Sequence, residues 1–184
     1  MARIRKGNAY RKIERPYTRK SKYKAHNFVR AQPSSKIIRY VMGNPKKKFD
    51  VTINLITTES IQLRHNSIEA ARQTCNRFLE ETFGKDGYCY VIRMYPHHIL
   101  RENPLAAGAG ADRMSTGMKH SFGKSISIAA QVFAGKTIMC VDVPESGIVK
   151  GRRALRRASY KMACRTKIEV INKKALLAAA AKKA

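Results

Sequence analysis

Tryptophan is absent from the 184 residues, and aromatics as a whole make up 8% of the chain. The core must therefore be mainly aliphatic, and a hydrophobic content of 43% is enough to build one. Acids are the second shortage: 12 Asp and Glu stand against 38 Lys and Arg, for a formal charge of +26. These acids are dispersed. No close carboxylate pair offers general acid–base chemistry, and no Ser, His and Asp stand in a catalytic order. Cys75, Cys89, Cys140 and Cys164 are scattered singly. With no Cys-x-x-Cys pair there is no zinc pattern, and a chain with this much other core does not call for a disulfide framework. Cys75 and Cys89 fall on apolar stripes and read as buried thiols. No apolar run approaches the roughly 20 residues of a membrane span. The start, "MARIRKGNAYRK", has no apolar stretch behind its charges, so it is not a secretory signal. It has the composition of a mitochondrial transit peptide, but the basic character continues past a plausible cleavage point. No internal repeat is visible. No metal, cofactor or membrane is expected, and the compartment reads as reducing and soluble, the cytoplasm.

What is abundant is positive charge. A compact body carrying +26 alone would repel itself, and a polyanion is the natural compensation. Nucleic acid is the first class of partner and an anionic membrane surface the second. The excess is densest in residues 1–33, an arm holding Arg3, Arg5, Lys6, Arg11, Lys12, Arg15, Arg19, Lys20, Lys22 and Lys24 with Glu14 as its acid. The arm has neither helical nor strand period, so alone in water it should be extended or disordered. Tyr10, Tyr17, Tyr23 and Phe28 are interleaved among the cations. Aromatics so placed can stack on bases while the cations contact phosphates, whereas a merely solvated tail would gain nothing from them.

Residues 34–172 read as a single core domain, with 173–184 a small-residue tail. A strand is expected around Ile37–Met42, then a turn at Gly43-Asn44-Pro45 and a basic cluster Lys46, Lys47 and Lys48. "VTINLITTESIQLR" alternates in two pieces around the polar break "TTES", as two short antiparallel strands would. "HNSIEAARQTCNRFLEETFGKDG" is the clearest helix. Asn66 is its expected N-cap, Glu69 completes a capping box, and Gly84 is the stop. Its stripe is Ile68, Ala71, Cys75, Phe78, Leu79 and Thr82. "YCYVIRMYPHHIL" is a strand broken at Pro96. "SISIAAQVF" and "KTIMCVDV" are strands joined at Ala134-Gly135, a hairpin signal. A second helix starts near Ser146, with Ile148, Leu155, Ala158, Ser159 and Met162 inward and Arg152, Arg153, Arg156, Arg157 and Lys161 outward. "TKIEVI" closes as a strand. The class is α+β: about two helices packed on one antiparallel sheet.

From Arg101 to about Lys124 there is no period, and small residues dominate. Structureless connections of that length are functional or mobile. The stretch "STGMKHSFGKS" ends like a phosphate-binding loop, but five residues separate Gly117 from Gly123, where the motif requires four. The following "SISIAA" alternates like a strand, where such a loop must open a helix. "GAGADR" carries Arg113 where a dinucleotide fingerprint needs its third glycine. His97 and His98 are adjacent, and adjacent strand residues face opposite ways, so they do not converge on one ion without a kink; Pro96 could supply one, but no carboxylate or third His lies near in sequence. Nothing requires an enzyme. The arm, Lys46–Lys48, Lys119, Lys124 and the Arg face of the second helix all point instead to RNA phosphates. A solvated helix face ordinarily mixes signs, and this one has almost no acid.

Several stretches together resemble one family. "AGADRMSTGMKHSFGK" is similar to a signature of a universal family of large-subunit ribosomal proteins, numbered sixteen in universal naming and ten-e in archaeal and eukaryotic naming. The resemblance runs on through "IEAARQTCNRFL", "FGKDGYCYVIRMYPHHILREN", "GKTIMCVDV", "ALRRASYKM" and the arm itself. It looks more archaeal than eukaryotic, because the chain ends in "AAAAKKA" without an extended tail. The resemblance implies an α+β core bound to large-subunit rRNA near the 5S rRNA, among neighbouring ribosomal proteins. It also implies that the glycine-rich loop, with Arg101, Gly108, Gly110, Arg113 and Gly117, reaches toward the peptidyl-transferase centre and tRNA acceptor ends. A free basic RNA- or DNA-binding protein, chaperone-like or chromatin-like, is the other class that the charge allows.

Overall fold

Alternation is realised most cleanly in β2 (Val51–Thr57), where Val51, Ile53 and Leu55 are wholly buried and the residues between them partly exposed. It belongs to a computed structural model that describes residues 5–6, 8–18, 23, 29, 33–102 and 123–173. Along the described residues β1 (Val41–Gly43) and β2 are followed by β3 (Ile61–Arg64), α1 (His65–Phe83), β4 (Cys89–Ile92) and β5 (His98–Glu102). Then come β6 (Lys124–Val132), β7 (Thr137–Val143), a 3-10 turn at Glu145–Gly147 running into α2 (Ile148–Ser159), and β8 (Thr166–Asn172). The fold is α+β, as the pattern of elements implied.

The strands divide into two sheets rather than forming the one expected. A five-stranded sheet has the order β1-β4-β7-β2-β8, a three-stranded sheet the order β3-β6-β5, and every pairing is antiparallel. The expected hairpins β2–β3 and β6–β7 are therefore absent. Instead β2 pairs with β7 and β3 with β6, so the stretches 51–64 and 124–143 run side by side and bend together from one sheet into the other. The bend is fastened by the amide of Gly135 donating to Thr57 O at 2.8 Å and the amide of Thr57 to Lys136 O at 3.1 Å. Polar "TTES" and Ala134-Gly135 do mark turns, but turns across a shared corner. A corner at which strands switch sheets needs such breaks as much as a hairpin does. The break at Pro96 acts alike, sending β4 to one sheet and β5 to the other.

α1 buries Ile68, Ala71, Cys75 and Leu79, four of the six stripe residues, with Phe78 and Thr82 at its margin. Burial pushes the Cys75 thiol up to about 12, so it is uncharged and unreactive at neutral pH. The expected N-cap is corrected. α1 begins at His65 directly out of β3, with Arg64 in the cap position, so Asn66 lies inside the first turn and its Oδ1 is buried without a partner. Glu69 does not reach back to the start of the helix. Its carboxylate takes Arg72 Nε at 2.8 Å and Nη2 at 2.7 Å, and charge-assisted bonds of that geometry outcompete a neutral amide. Gly84 does end the helix, at φ 70° with its amide on Glu80 O.

α2 approaches more closely than its expected stripe implied. Gly151 and Ala154 are buried with Leu155 and Ala158, whereas Ile148 and Ser159 are only partly covered and buried Met162 lies beyond the helix end. A Cβ on Gly151 would stand 2.6 Å from Ile53 Cδ1, so small residues set the spacing between α2 and β2. The expected strand at Ile37–Met42 shortens to β1, closed by the turn at Gly43. There φ is 77°, and a Cβ would lie 2.2 Å from the carbonyl oxygen of Tyr88.

Backbone strain and backbone clash therefore coincide at Gly43. Gly43→Ala is expected to cost about 3 kcal/mol or more, from a positive φ plus displacement of a backbone carbonyl. Urea unfolding should show a lower midpoint at unchanged slope. A loss within about 0.5 kcal/mol, the range of ordinary surface substitutions, would show that the turn relaxes freely.

Candidate nucleic-acid interface

The arm has a seat on the protein. Over residues 8–18 it crosses the three-stranded sheet from one edge to the other, and glutamines on neighbouring strands hold its backbone. The amide of Gln62 on β3 donates to Arg11 O at 3.0 Å and its side chain to Tyr10 O at 3.0 Å. Gln131, paired with Gln62 across β3 and β6, donates to Glu14 O at 2.8 Å and to Gln62 Oε1 at 2.9 Å. At the far edge the amide of Tyr17 donates to His98 Nδ1 at 2.9 Å, and the amide of Ile99 to Tyr17 O at 3.1 Å. Over 8–18 the arm thus has a bonded place on the sheet that its charge and absent periodicity did not reveal. The segment forms neither helix nor strand, but its polar backbone groups are satisfied by the sheet. This also explains why Gln62 and His98 are 3% and 5% exposed.

Ion pairs reinforce the seat. Arg5 pairs with Glu102, which keeps that carboxyl below the ordinary carboxylate range, and Arg11 pairs with Glu59 at 3.0 Å. Arg64 donates to the backbone carbonyls of Arg5 and Lys6 at 3.0 and 3.1 Å. The Arg101 guanidinium lies 3.7 Å from the centre of the Tyr17 ring. Partly buried Tyr10, at φ 62°, sits beside Glu102. Tyr10 and Tyr17, two of the three arm tyrosines read as base-stacking groups, thus have protein neighbours already.

The remaining cations are presented outward. Lys6, Lys12 and Arg15 are exposed, as are Lys46, Lys47 and Lys48 after the Gly43 turn, and Lys124 at the start of β6. On α2, Arg152, Arg153 and Arg156 are exposed and Arg157 partly so, its guanidinium 4.3 Å from the centre of the Phe78 ring on α1. These four line a groove of about 560 Å³ together with Ile148, Val149, Tyr160 and Ile168. The face is therefore cationic with apolar side chains among the arginines. Arg101 and Glu102 belong to β5 rather than to the loop, and a register shift falls between Leu100 and Arg101. Lys124 and Ser125 begin a strand, so the Gly-Lys-Ser ending opens no helix and makes no nucleotide cradle. Arg3, Arg19, Lys20, Lys22, Lys24, Gly108, Gly110, Arg113, Gly117 and Lys119 lie outside the described residues.

His98, the first residue of β5, is buried, and His97, in the turn before it, is exposed, so the two rings have different surroundings. Among the described residues no three His, Cys, Asp or Glu side chains gather as a metal site, and no helix is long and apolar enough to cross a membrane. Sequence reasoning passed over Gln62, Gln131, Glu59 and Glu102. The usable signal was scarcity: with 12 acids in the chain, an acid facing an Arg-rich arm is worth placing first.

Comparison with known proteins bears on this arrangement directly. The sequence model of the family described as ribosomal protein L16p/L10e matches residues 13–169. The large ribosomal subunit protein uL16 of Methanococcus maripaludis is 43% identical over 175 residues, 95% of this chain and 98% of that one. Proteins of the same name are 40% identical in Hyperthermus butylicus, covering 85% of this chain and 83% of that one, and 40% identical in Archaeoglobus fulgidus, covering 88% and 89%. All three come from archaea, in line with the archaeal character of the sequence.

Because the Tyr17 amide needs an unprotonated Nδ1, His98 must be neutral when the arm is seated. Burial holds its pKa below the ordinary 6.5, with Arg101 acting the same way and Glu14 opposing. Folded His98 then binds fewer protons than unfolded His98, so stability is complete above about pH 6.5 and falls as pH drops from there through the folded value. Losing the acceptor should cost about 1–3 kcal/mol, or about 2–4 °C of melting midpoint per kcal/mol. Melting at pH 7.5 and 5.5 should show a smaller acid loss for His98→Gln than for the parent. Parallel losses would remove His98 from the account.

Proposed function

We infer the role of this chain from a plain premise: it belongs to the ribosomal protein L16p/L10e family. It is a structural, non-enzymatic constituent of the large ribosomal subunit and serves translation. Beyond that, we propose that it binds rRNA of the large subunit in the region of 5S rRNA, among neighbouring ribosomal proteins, in the cytoplasm. The arm and the arginine face of α2 would supply phosphate contacts. The segment between β5 and β6 would reach toward the peptidyl-transferase centre and the acceptor ends of tRNA.

The observation that carries this reading is the single sign of the charge on the exposed face of α2. Arg152, Arg153 and Arg156 share one exposed helix face, and the described part of α2 contains no acid to neutralise them. Such a face on a body of formal charge +26 fits a phosphate backbone, whose bound counterions are released as each cation replaces them. The second support is topological. β5 and β6 pair as Arg101↔Ser125 and Glu102↔Lys124, so residues 103–123 connect the ends of two paired strands. A connection rooted in a sheet can be long without weakening the fold, because loop-closure entropy grows slowly with length.

Two experiments test the two halves of the proposal. Replacing Arg152, Arg153, Arg156 and Arg157 by Gln should make the log–log dependence of rRNA binding on salt shallower by about 3, at roughly 0.7–0.9 for each phosphate no longer neutralised. An unchanged slope would mean that this face is only solvated. Deleting the middle of 103–122 should leave the melting midpoint within a few degrees and allow the protein to sediment with large subunits through moderate salt. Peptide-bond formation or tRNA accommodation should then be slower. A protein that fails to fold would make the segment structural, and normal translation by assembled subunits would refute the tRNA role.

A further inference from the structure

Three rings gather beside the β1 edge of the five-stranded sheet, next to His98, where the arm's seat ends. Tyr40 and Tyr95 stack with centroids 5.5 Å apart and planes at 25°, and the His97 ring follows at 4.6 Å from Tyr95, tilted by 47°. The outer two rings are open to solvent. Tyr40 is partly buried, Tyr95 is 47% exposed, and His97 is exposed. The local backbone explains the pairing of the outer two. The amide of His97 donates to Tyr95 O at 3.0 Å, a three-residue turn centred on Pro96. Proline's fixed φ is near the value such a turn requires, so the two rings are set on one side before anything binds. A folded protein gains little by keeping an aromatic pile in water. A nucleobase gains by continuing one.

We propose that this pile is a stacking site for an unpaired nucleobase of RNA, with Tyr95 and His97 as the groups that touch it. The surrounding chemistry selects nucleic acid over an apolar protein segment. Arg39, one residue before Tyr40, and Arg93, one residue beyond β4 and two before Tyr95, are both exposed and are the cations within reach of phosphates flanking a stacked base, Arg93 also donating from Nε to Cys140 Sγ at 3.3 Å. Neighbouring Ile38 is 86% exposed and offers a further apolar contact for a base or a ribose. Stacking tolerates any base, because each has a π face, and it adds affinity without adding a phosphate contact. The inference rests on the RNA-binding role proposed above and names a place where that binding is not electrostatic.

The distinction gives the test. The whole protein is titrated with a single-stranded RNA of about a dozen mixed nucleotides and with an abasic strand of the same length, from 50 to 200 mM salt. His97→Ala, and Tyr95→Ala with it, should weaken binding of the base-bearing strand by roughly 5- to 100-fold at every salt concentration. The salt slope should not change, and neither should affinity for the abasic strand. Tyr95→Phe, which keeps the ring, should bind within about twofold of the parent and guards against misfolding of the alanine variants. Equal losses on both strands, an altered slope, or no loss at all would overturn the stacking site. Retained RNA binding with loss of a protein neighbour from the assembled subunit would reassign the pile to protein docking. A parent protein that binds neither strand would instead refute the RNA-binding role itself.

Discussion

Charge that cannot be buried is the constraint from which the rest of this structure follows. With 38 Lys and Arg and 12 Asp and Glu, the chain lacks the acids to neutralise its cations pair by pair. An unpaired buried charge would cost many kcal/mol. Every described cation is therefore exposed or only partly covered. The acids are placed where one carboxylate does most. Glu59 faces both Arg11 and Arg165, Glu102 faces Arg5, and Glu69 binds Arg72 within the first turns of α1. The more exposed pairs, those of Glu59, are individually weak, about 0–1 kcal/mol. Their effect on the fold is to fix where the arm lies rather than to hold the core together.

The core must then stand on apolar packing alone. The two stretches that bend together between the sheets provide it, since one pair of long strands contributes to both. Ile53, Leu55, Val141 and Val143 line the five-stranded sheet beneath the helices, while Ile61, Leu63, Ala130 and Val132 carry the same core into the three-stranded one. α2 can lie close because Gly151 and Ala154 present no bulk to β2. In the absence of tryptophan, the large fully buried side chains include Tyr88 and Tyr90, whose hydroxyls find Asn76 Oδ1 and Met139 Sδ at 2.7 and 2.8 Å. A buried hydroxyl without such a partner would cost about 1–3 kcal/mol.

The elements were legible in the sequence wherever a single local rule decides them. The alternation of β2, the stripe of α1, the stop at Gly84 and the break at Pro96 all depend on residues within a few positions of one another. Pairing was not legible. "TTES" and Ala134-Gly135 signal that the chain turns, and a hairpin and a corner between sheets require the same residues. Which one forms depends on β2 and β7 meeting across some 80 residues of chain, a separation that no local pattern records. The capping box failed for a related reason. Glu69 had a competitor in Arg72 that the capping rule does not consider. The arm's seat was hidden because its contacts come from backbone groups, which sequence does not distinguish, and from Gln62 and Gln131, which look like ordinary solvent-facing residues of a strand. Of the candidate interface, the outward cations of α2 and of the Gly43 turn were readable from spacing alone. The engagement of Tyr10 and Tyr17 with the protein was not.

The arm and the β5–β6 connection share their anchors. Arg5 pairs with Glu102, the last residue of β5, and Arg101 lies on the ring of Tyr17, whose backbone is itself bonded to Ile99 and His98 on the same strand. The register shift between Leu100 and Arg101 falls among these contacts, and a bulge of that kind redirects the side chains beyond it. The root of the 103–123 connection is thus gripped on one edge by residues of the arm and on the other by pairing with β6. Ligands that pull on the arm's cations act on the same few bonds that orient the end of β5. Were a polyanion to bind along the arm and a group at the connection, as proposed above, the two would not be independent, because each interaction would include the free energy of keeping Glu102, Arg101 and His98 in their places.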